Sequence, residues 1–200
     1  MNRWRSWKWT AFALTAIAGC SLLEPGPDPT RFFVLHSIAP AGGGNPAAAA
    51  AVEIGVGPVR LPDYLRRPQV VRRVGESRVE LSEFDRWAEP LDTAVPRVVA
   101  ENLRSRIPGA VVFTYPWPVG SVRYEVQIDV LQFEANAQGG AELVARWSLR
   151  DGKKRTVLAG RETQLRHPAA DSTTEAAVSA MSEALAELSN VIAAELARLQ

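Results

Sequence analysis

Between Tyr124 and Leu165 three successive runs alternate apolar and polar residues, and no other stretch restricts the fold so tightly. Tyr124, Val126, Ile128 and Val130 alternate with Glu125, Gln127 and Asp129. A period of two sends successive side chains to opposite faces, so this is a strand with one buried face. The phase then slips: Leu131 and Phe133 are apolar while Gln132 and Glu134 are polar. Such a slip would swap faces, which predicts a bulge near Val130-Leu131 or a strand passing between two packing environments. Beyond a Gly139-Gly140 turn, Ala141, Leu143, Ala145, Trp147 and Leu149 alternate with Glu142, Arg146, Ser148 and Arg150. Asp151-Gly152 is a tight-hairpin signal, and the chain returns through Thr156 to Leu165. The three runs predict a long antiparallel meander whose apolar face needs a cover.

Two helical patterns can supply that cover. Asp92 is the expected N-cap of a helix running to about Ile107, with Pro96 in the first turn, where backbone N–H groups lack partners anyway. Val95, Val98, Val99, Leu103 and Ile107 form its apolar stripe, and Pro108-Gly109 ends it. A second, longer helix is expected from Thr173 to about Leu199. Ser172-Thr173-Thr174-Glu175 fits a capping box, with the Ser172 hydroxyl and the Glu175 carboxylate serving each other's free N–H groups. Met181, Leu185, Leu188, Ile192, Leu196 and Leu199 line one side of this helix. That stripe suits a helix covering its own sheet, and it also suits a coiled-coil seam with a partner. A homo-oligomer is compatible with either.

The remaining strands are shorter. Arg31–His36 is aromatic and β-branched. Val52, Ile54 and Val56 alternate with Glu53, Gly55 and Gly57, and Pro58 and Pro62 are expected to keep that strand out of mid-sheet. Gln69–Val74 turns through Gly75-Glu76-Ser77 into Arg78–Leu81 as a hairpin, and Val111-Val112-Phe113 is a short buried strand. Ala39–Ala51 is low in complexity and reads as a flexible loop. The sum is an α+β fold: a largely antiparallel β-sheet with two main helices packed on one face, the C-terminal one long.

At the N-terminus, Arg3, Arg5 and Lys8 precede a short apolar run, Ala11–Ile17, then Ala18-Gly19 and Cys20. That order is the layout of a secretory signal peptide, and the run is far shorter than the roughly 20 residues a membrane span needs. Ile17-Ala18-Gly19-Cys20 resembles a bacterial lipobox, which implies diacylglycerol on the Cys20 thiol, cleavage before it and acylation of the new amino group. Two or more acyl chains hold stably in a bilayer where one is marginal. The expected organisation is therefore residues 1–19 as signal peptide, 20–30 as lipidated N-terminus and Pro/Asp-rich spacer, and 31–200 as one domain. Asp after the cysteine resembles an inner-membrane retention signal. Ser21 stands there instead, which favours the outer membrane, facing the periplasm.

The chain carries 23 Lys and Arg against 22 Asp and Glu. Loss of the cationic leader leaves a balanced, slightly acidic domain without the basic face of a nucleic-acid binder. Cys20 is the single cysteine and His36 and His167 are the two histidines, so no His/Cys metal set is available. No G-x-S-x-G elbow, P-loop or complete G-x-G-x-x-G occurs. A triad of His167, Asp171 and Ser172 would sit at a helix cap, and capping explains Ser172 better. The expectation is a protein without catalysis or cofactor, apart from covalent lipid on Cys20.

Aromatic, arginine and proline residues cluster in the connections, where interfaces find them. Asp63-Tyr64-Leu65-Arg66-Arg67-Pro68-Gln69 joins two strands, Phe84–Leu91 with Trp87 leads into the first helix, and Tyr115-Pro116-Trp117-Pro118 follows a third strand. Tyr64, Leu65, Arg66, Arg67, Trp87 and Trp117 are the candidate partner-binding residues. Trp87 and Trp117 serve equally as plugs at the ends of the core.

GPVRLPDYLRRPQVVRR, FDRWAEPL leading into VPRVVAENL, YPWP, RYEVQIDVLQFEA and AELVARWSLRD follow one another in an order that resembles the PqiC family, auxiliary lipoproteins of ABC-type transport associated with membrane integrity. The likeness runs from about Arg31 through the C-terminal helix. It implies a partner: an MCE-domain protein anchored in the inner membrane that builds a hydrophobic tunnel across the periplasm, on which the lipoprotein docks from the outer membrane. Two other readings stand beside it: a lipoprotein that itself binds a lipid or another apolar ligand in a cavity, and a structural envelope lipoprotein serving some other machine.

Overall fold

The computed structural model describes residues 26–40 and 51–199. Cys20, the signal peptide and most of the alanine-rich loop lie outside the described residues. Among the described residues eight strands form one sheet. They are β1 (Arg31–Phe33), β2 (Glu53–Arg60), β3 (Gln69–Arg73), β4 (Val79–Trp87), β5 (Val111–Thr114), β6 (Tyr124–Ala135), β7 (Ala141–Asp151) and β8 (Val157–His167), with helices α1 (Leu91–Arg106) and α2 (Thr174–Arg198).

The meander β6–β7–β8 is the backbone of the sheet, antiparallel from Tyr124↔Asp151 to Ala141↔His167. The bulge falls where the phase slip puts it, with the register shifting between Val130 and Gln132. Leu131 is thereby left on the surface while Phe133 returns to the core, fully buried. On its other edge β6 pairs in parallel with β2 along its first half and with β3 at Arg72↔Ala135. β2 and β3 thus share one edge of β6, and the chain between them leaves the sheet at Leu61 and rejoins at Gln69. β4 pairs antiparallel with β3, β1 pairs parallel with β4, and β5 pairs parallel with β2.

Both helices cover the same face. α1 packs on β2 and β5, α2 on β6, β7 and β8, and the two helices touch each other. Met181, Leu185, Leu188, Ile192 and Leu196 are essentially out of solvent, so the stripe on α2 serves its own sheet and not a coiled-coil seam. Ser182 and Ser189, also on the covered side, donate their hydroxyls to the Val178 and Leu185 carbonyls at 2.9 and 2.7 Å, which satisfies polar groups that would otherwise be costly to bury. After β1 the chain lies against both helices. Leu35 is fully buried, the His36 N–H donates to the Ser182 hydroxyl of α2, and the Ile38 N–H donates to Asn102 Oδ1 of α1 at 2.9 Å.

Four local expectations are corrected. α1 is capped by Pro90 and not by Asp92, which lies inside its first turn. α2 is capped by Thr173, whose hydroxyl accepts from the Ala176 N–H. Ser172 is one residue too early, and Asp171 holds Thr173 in place. Asp151-Gly152 begins a five-residue loop, Gly152–Thr156, because Asp151 accepts from the Lys153 and Lys154 N–H groups and so folds the chain past a two-residue turn. Finally β2 is an interior strand despite Pro58. The β5 partner has ended by Val56↔Thr114, and the β6 register breaks between Val56 and Val59, so the missing N–H falls where no ladder bond is needed.

Candidate functional site

The excursion Leu61–Pro68 carries the densest set of candidate residues. A short 3₁₀ turn, Asp63–Leu65, sits in the excursion, and its two ends are tied as the Leu65 and Arg66 N–H groups donate to the Pro62 and Asp63 carbonyls. Leu65 points inward and is 1 % exposed. Tyr64 also turns inward, its hydroxyl donating to Glu134 Oε2 at 2.6 Å. Glu134 belongs to the outer face of β6, which the alternation leaves open to water, yet its side chain is wholly buried because the excursion roofs it. Arg73 of β3 completes the cluster by pairing with the other carboxylate oxygen. Burial, then the hydrogen bond to Glu134, pushes the Tyr64 hydroxyl well above the ordinary tyrosine range. The cluster bolts the excursion to the sheet through Tyr64.

Arg66 and Arg67 are left outside. Arg66 reaches Asp63 at 3.6 Å, and among the described residues Arg67 meets no carboxylate within ion-pairing distance. They border a cleft of about 220 Å³ that Pro68, Trp87, Ala88, Glu89 and Pro90 complete. Trp87, 6 % exposed, forms its floor. Its backbone N–H donates to the Pro68 carbonyl at 2.7 Å, which fixes this strand end to the arginine loop. β4 reaches this far because its register against β3 shifts between Gln69↔Arg86 and Val71↔Leu81, an extension beyond Leu81 that no turn signal announces. Glu89 also lines the cleft, but its ion pair is with Arg97 of α1 and with neither rim arginine. The cleft is therefore an apolar slot with Arg66, paired to Asp63, and Arg67, which meets no carboxylate among the described residues, on its rim.

Trp117 lies apart. It packs edge-on to Tyr115 with ring centroids 5.5 Å apart and covers Gly55, where a Cβ would sit 2.7 Å from the indole. It lines a separate depression with Pro58, Tyr115, Val119 and Arg155. The structure thus brings Tyr64, Leu65, Arg66, Arg67 and Trp87 together and leaves Trp117 at another place.

Two buried carboxylates carry much of the local order. Besides Glu134, Asp85 of β4 bonds Arg31 of β1 and the Thr174 hydroxyl at the start of α2, joining three elements. Burial opposes its charge, but hydrogen bonds from Thr174, Arg31 and Ser82 prevail and hold its carboxyl below the usual range. In the sequence Glu134 looks like an outward strand position, whereas Asp85, in phase with Trp87, is a carboxylate on the covered side of β4. Only long-range contacts show what pairs with them.

Among the described residues no group of His, Cys, Asp and Glu is arranged to hold a metal ion. His167 turns to Glu187 at 2.7 Å while Asp171 accepts from Thr173, so the two do not form a catalytic pair. No described helix is long and apolar enough to cross a membrane.

A family model described as the ABC-type transport auxiliary lipoprotein component matches residues 33–193. The intermembrane transport lipoprotein PqiC of Escherichia coli K12 is 28 % identical over 145 residues, which is 72 % of this chain and 74 % of that protein. Among solved structures, an uncharacterised protein superposes with a TM-score of 0.69 at 22 % identity, over 84 % of this chain and 98 % of its own. Protein XCC0632 from Xanthomonas campestris does so with 0.66 at 16 % identity, over 85 % and 100 %. These two likenesses establish the shared fold.

Proposed function

Because the chain belongs to the family of ABC-type transport auxiliary lipoprotein components, we propose that it is the outer-membrane-anchored subunit of an MCE-type intermembrane lipid transport system. In this reading Cys20 carries the lipid, Ser21 directs the protein to the outer membrane, and the folded domain docks on an MCE-domain protein reaching across from the inner membrane. Docking, not catalysis, is its task. The family is one of transport auxiliaries.

One observation carries the docking surface. The Tyr64–Glu134–Arg73 cluster spends a fully buried carboxylate on holding a loop whose outward residues, Arg66 and Arg67, make no contribution to the core. A rigid loop presenting cations beside an aromatic-floored slot suits a partner segment with an apolar side chain and flanking carboxylates. Trp87 forms the slot, Leu65 anchors the loop from beneath, and Trp117 marks a separate contact.

The test is affinity purification of the tagged protein from gently solubilised, crosslinked envelopes, beside a Cys20→Ala form. The reading expects an MCE-domain protein, identified by mass spectrometry, with the lipidated protein, and loss of envelope association for Cys20→Ala. Absence of any MCE-domain protein from the crosslinked material would overturn it.

A further inference from the structure

We propose that one end of the domain, formed by Phe32 and Val34 after the start of β1 and by Phe84 of β4, seats on the phospholipid surface that holds the anchor. The inference rests on the reading of Cys20 as lipidated and adds which face meets the membrane.

The first support is reach. About eleven residues separate Cys20 from Arg31, and an extended chain of that length spans at most about 40 Å. β1 lies within that distance of the bilayer, and the residues around β1 are the part of the described domain nearest the tether. The second support is what surrounds it. Phe32 is 66 %, Val34 50 % and Phe84 42 % exposed. Phe32 is in register with Arg86, and Phe84, two residues before Arg86, shares that face, as the alternation of a strand requires. Two phenylalanines around an arginine suit the bilayer interface, where apolar side chains enter the acyl boundary and cations meet phosphates.

Orientation follows from α2. Asp85 bonds Thr174 at its first turn, and the Tyr124 hydroxyl bonds the Leu199 carbonyl at its last. A 25-residue helix is about 37 Å long, so the loop between β5 and β6, with Val119 fully exposed, stands at the far end. That loop also shows apolar groups, but it lies a helix length further from the anchor. Beside Phe32 and Val34 a groove of about 780 Å³ runs to the first turns of α2. Arg31 lines one side, and Asp171 and Glu175 the other, so the seat rests on apolar burial more than on net charge.

The experiment uses the full-length lipidated protein in vesicles of phosphatidylethanolamine and phosphatidylglycerol. The Cys20 thiol is consumed by its lipid, so Phe32→Cys, Phe84→Cys and Val119→Cys each offer one thiol for an environment-sensitive dye. All three positions are exposed, and unchanged melting temperatures verify the fold. The expected result is a blue-shifted emission and several-fold stronger quenching by spin-labelled lipid at positions 32 and 84 than at 119, unaltered by added salt. Equal quenching at all three positions, or stronger quenching at 119, overturns the proposal. Failure of the protein to float with the vesicles would refute the lipid anchor and this proposal together. Flotation without quenching at 32 and 84 would refute the seat alone.

Discussion

The Tyr64 hydroxyl donates to Glu134 Oε2 at 2.6 Å across seventy residues of sequence, and Glu134 is wholly out of solvent. Arg73 neutralises the same carboxylate from a neighbouring strand. A buried carboxylate is tolerable only while its partners remain, because an unpaired charge in a low-dielectric site costs several kcal/mol. Glu134→Ala leaves Arg73 able to turn to water, since its side chain keeps 26 % exposure. The loss should therefore be about 2–3 kcal/mol, below the range for a fully enclosed pair. Tyr64→Phe removes one hydrogen bond and should cost about 1–2 kcal/mol. Urea unfolding of the two single variants and the double variant measures both, and the double variant should lose less than the sum.

The same hydroxyl sets an alkaline limit. Burial raises the Tyr64 pKa in the folded protein. Its contribution to stability is therefore complete below the ordinary tyrosine value of about 10 and is lost as pH climbs from there toward the folded value. Stability measured from pH 8 to 11 should fall less steeply in Tyr64→Phe than in the parent.

At acid pH one contributing group is Asp85, whose folded pKa is lowered. The contribution of such a carboxylate is present above its ordinary value of about 3.9 and disappears as pH falls through the folded value. Asp85→Asn should destabilise the protein at neutral pH and flatten the stability curve below about pH 4. Because Asp85 ties β1 and the start of α2 together, hydrogen exchange in Arg31–Phe33 should rise first.

Much of this molecule could be read from residue order. The meander, the slip at Leu131, both helices and the face they cover all follow from periods of 2 and 3.6, which record burial on one side of a single element. What those periods miss is a second cover applied from far away. Glu134 sits at a position that alternation assigns to water, and the Leu61–Pro68 excursion buries it, while Asp85 shares the covered face with Trp87 and depends on Arg31 of β1 and Thr174 of α2 for partners. The cap of α2 shifted by one residue because Asp171, Ser172 and Thr173 stand side by side and each suits a helix start, whereas α1 begins two residues before Asp92, at Pro90, without a side-chain cap. For the site, the Tyr64 connection was visible as an aromatic, arginine-rich loop, and Trp87 as a neighbouring aromatic. Their union into one cleft depends on the register shift in β4, which carries no turn signal.

Gly55 tests the separate position of Trp117. A methyl group there would meet the indole at 2.7 Å, closer than carbon atoms approach. The half-buried ring can swing outward, so Gly55→Ala should cost about 1–3 kcal/mol and expose Trp117. A red shift of tryptophan emission that is absent in a Trp117→Phe background would verify the contact.

The α2 stripe offers a clean large effect. Leu188 is fully buried against the sheet, and Leu188→Ala should cost about 2–5 kcal/mol by opening a cavity. If the stripe covers its own sheet, thermal unfolding will show this loss independently of protein concentration. A concentration-dependent melting temperature would indicate a seam between chains instead.

The central claim is that the rigid Arg66–Arg67 rim and the Trp87 slot dock an MCE-domain partner. The most direct measurement places a photo-crosslinking amino acid at Arg67 in the full-length lipoprotein and irradiates intact cells. The account predicts a crosslink to an MCE-domain protein, lost when Arg66 is changed to Glu in the same chain while the melting temperature stays unchanged. Crosslinks from position 67 to other proteins only, with none to an MCE-domain protein, would contradict it.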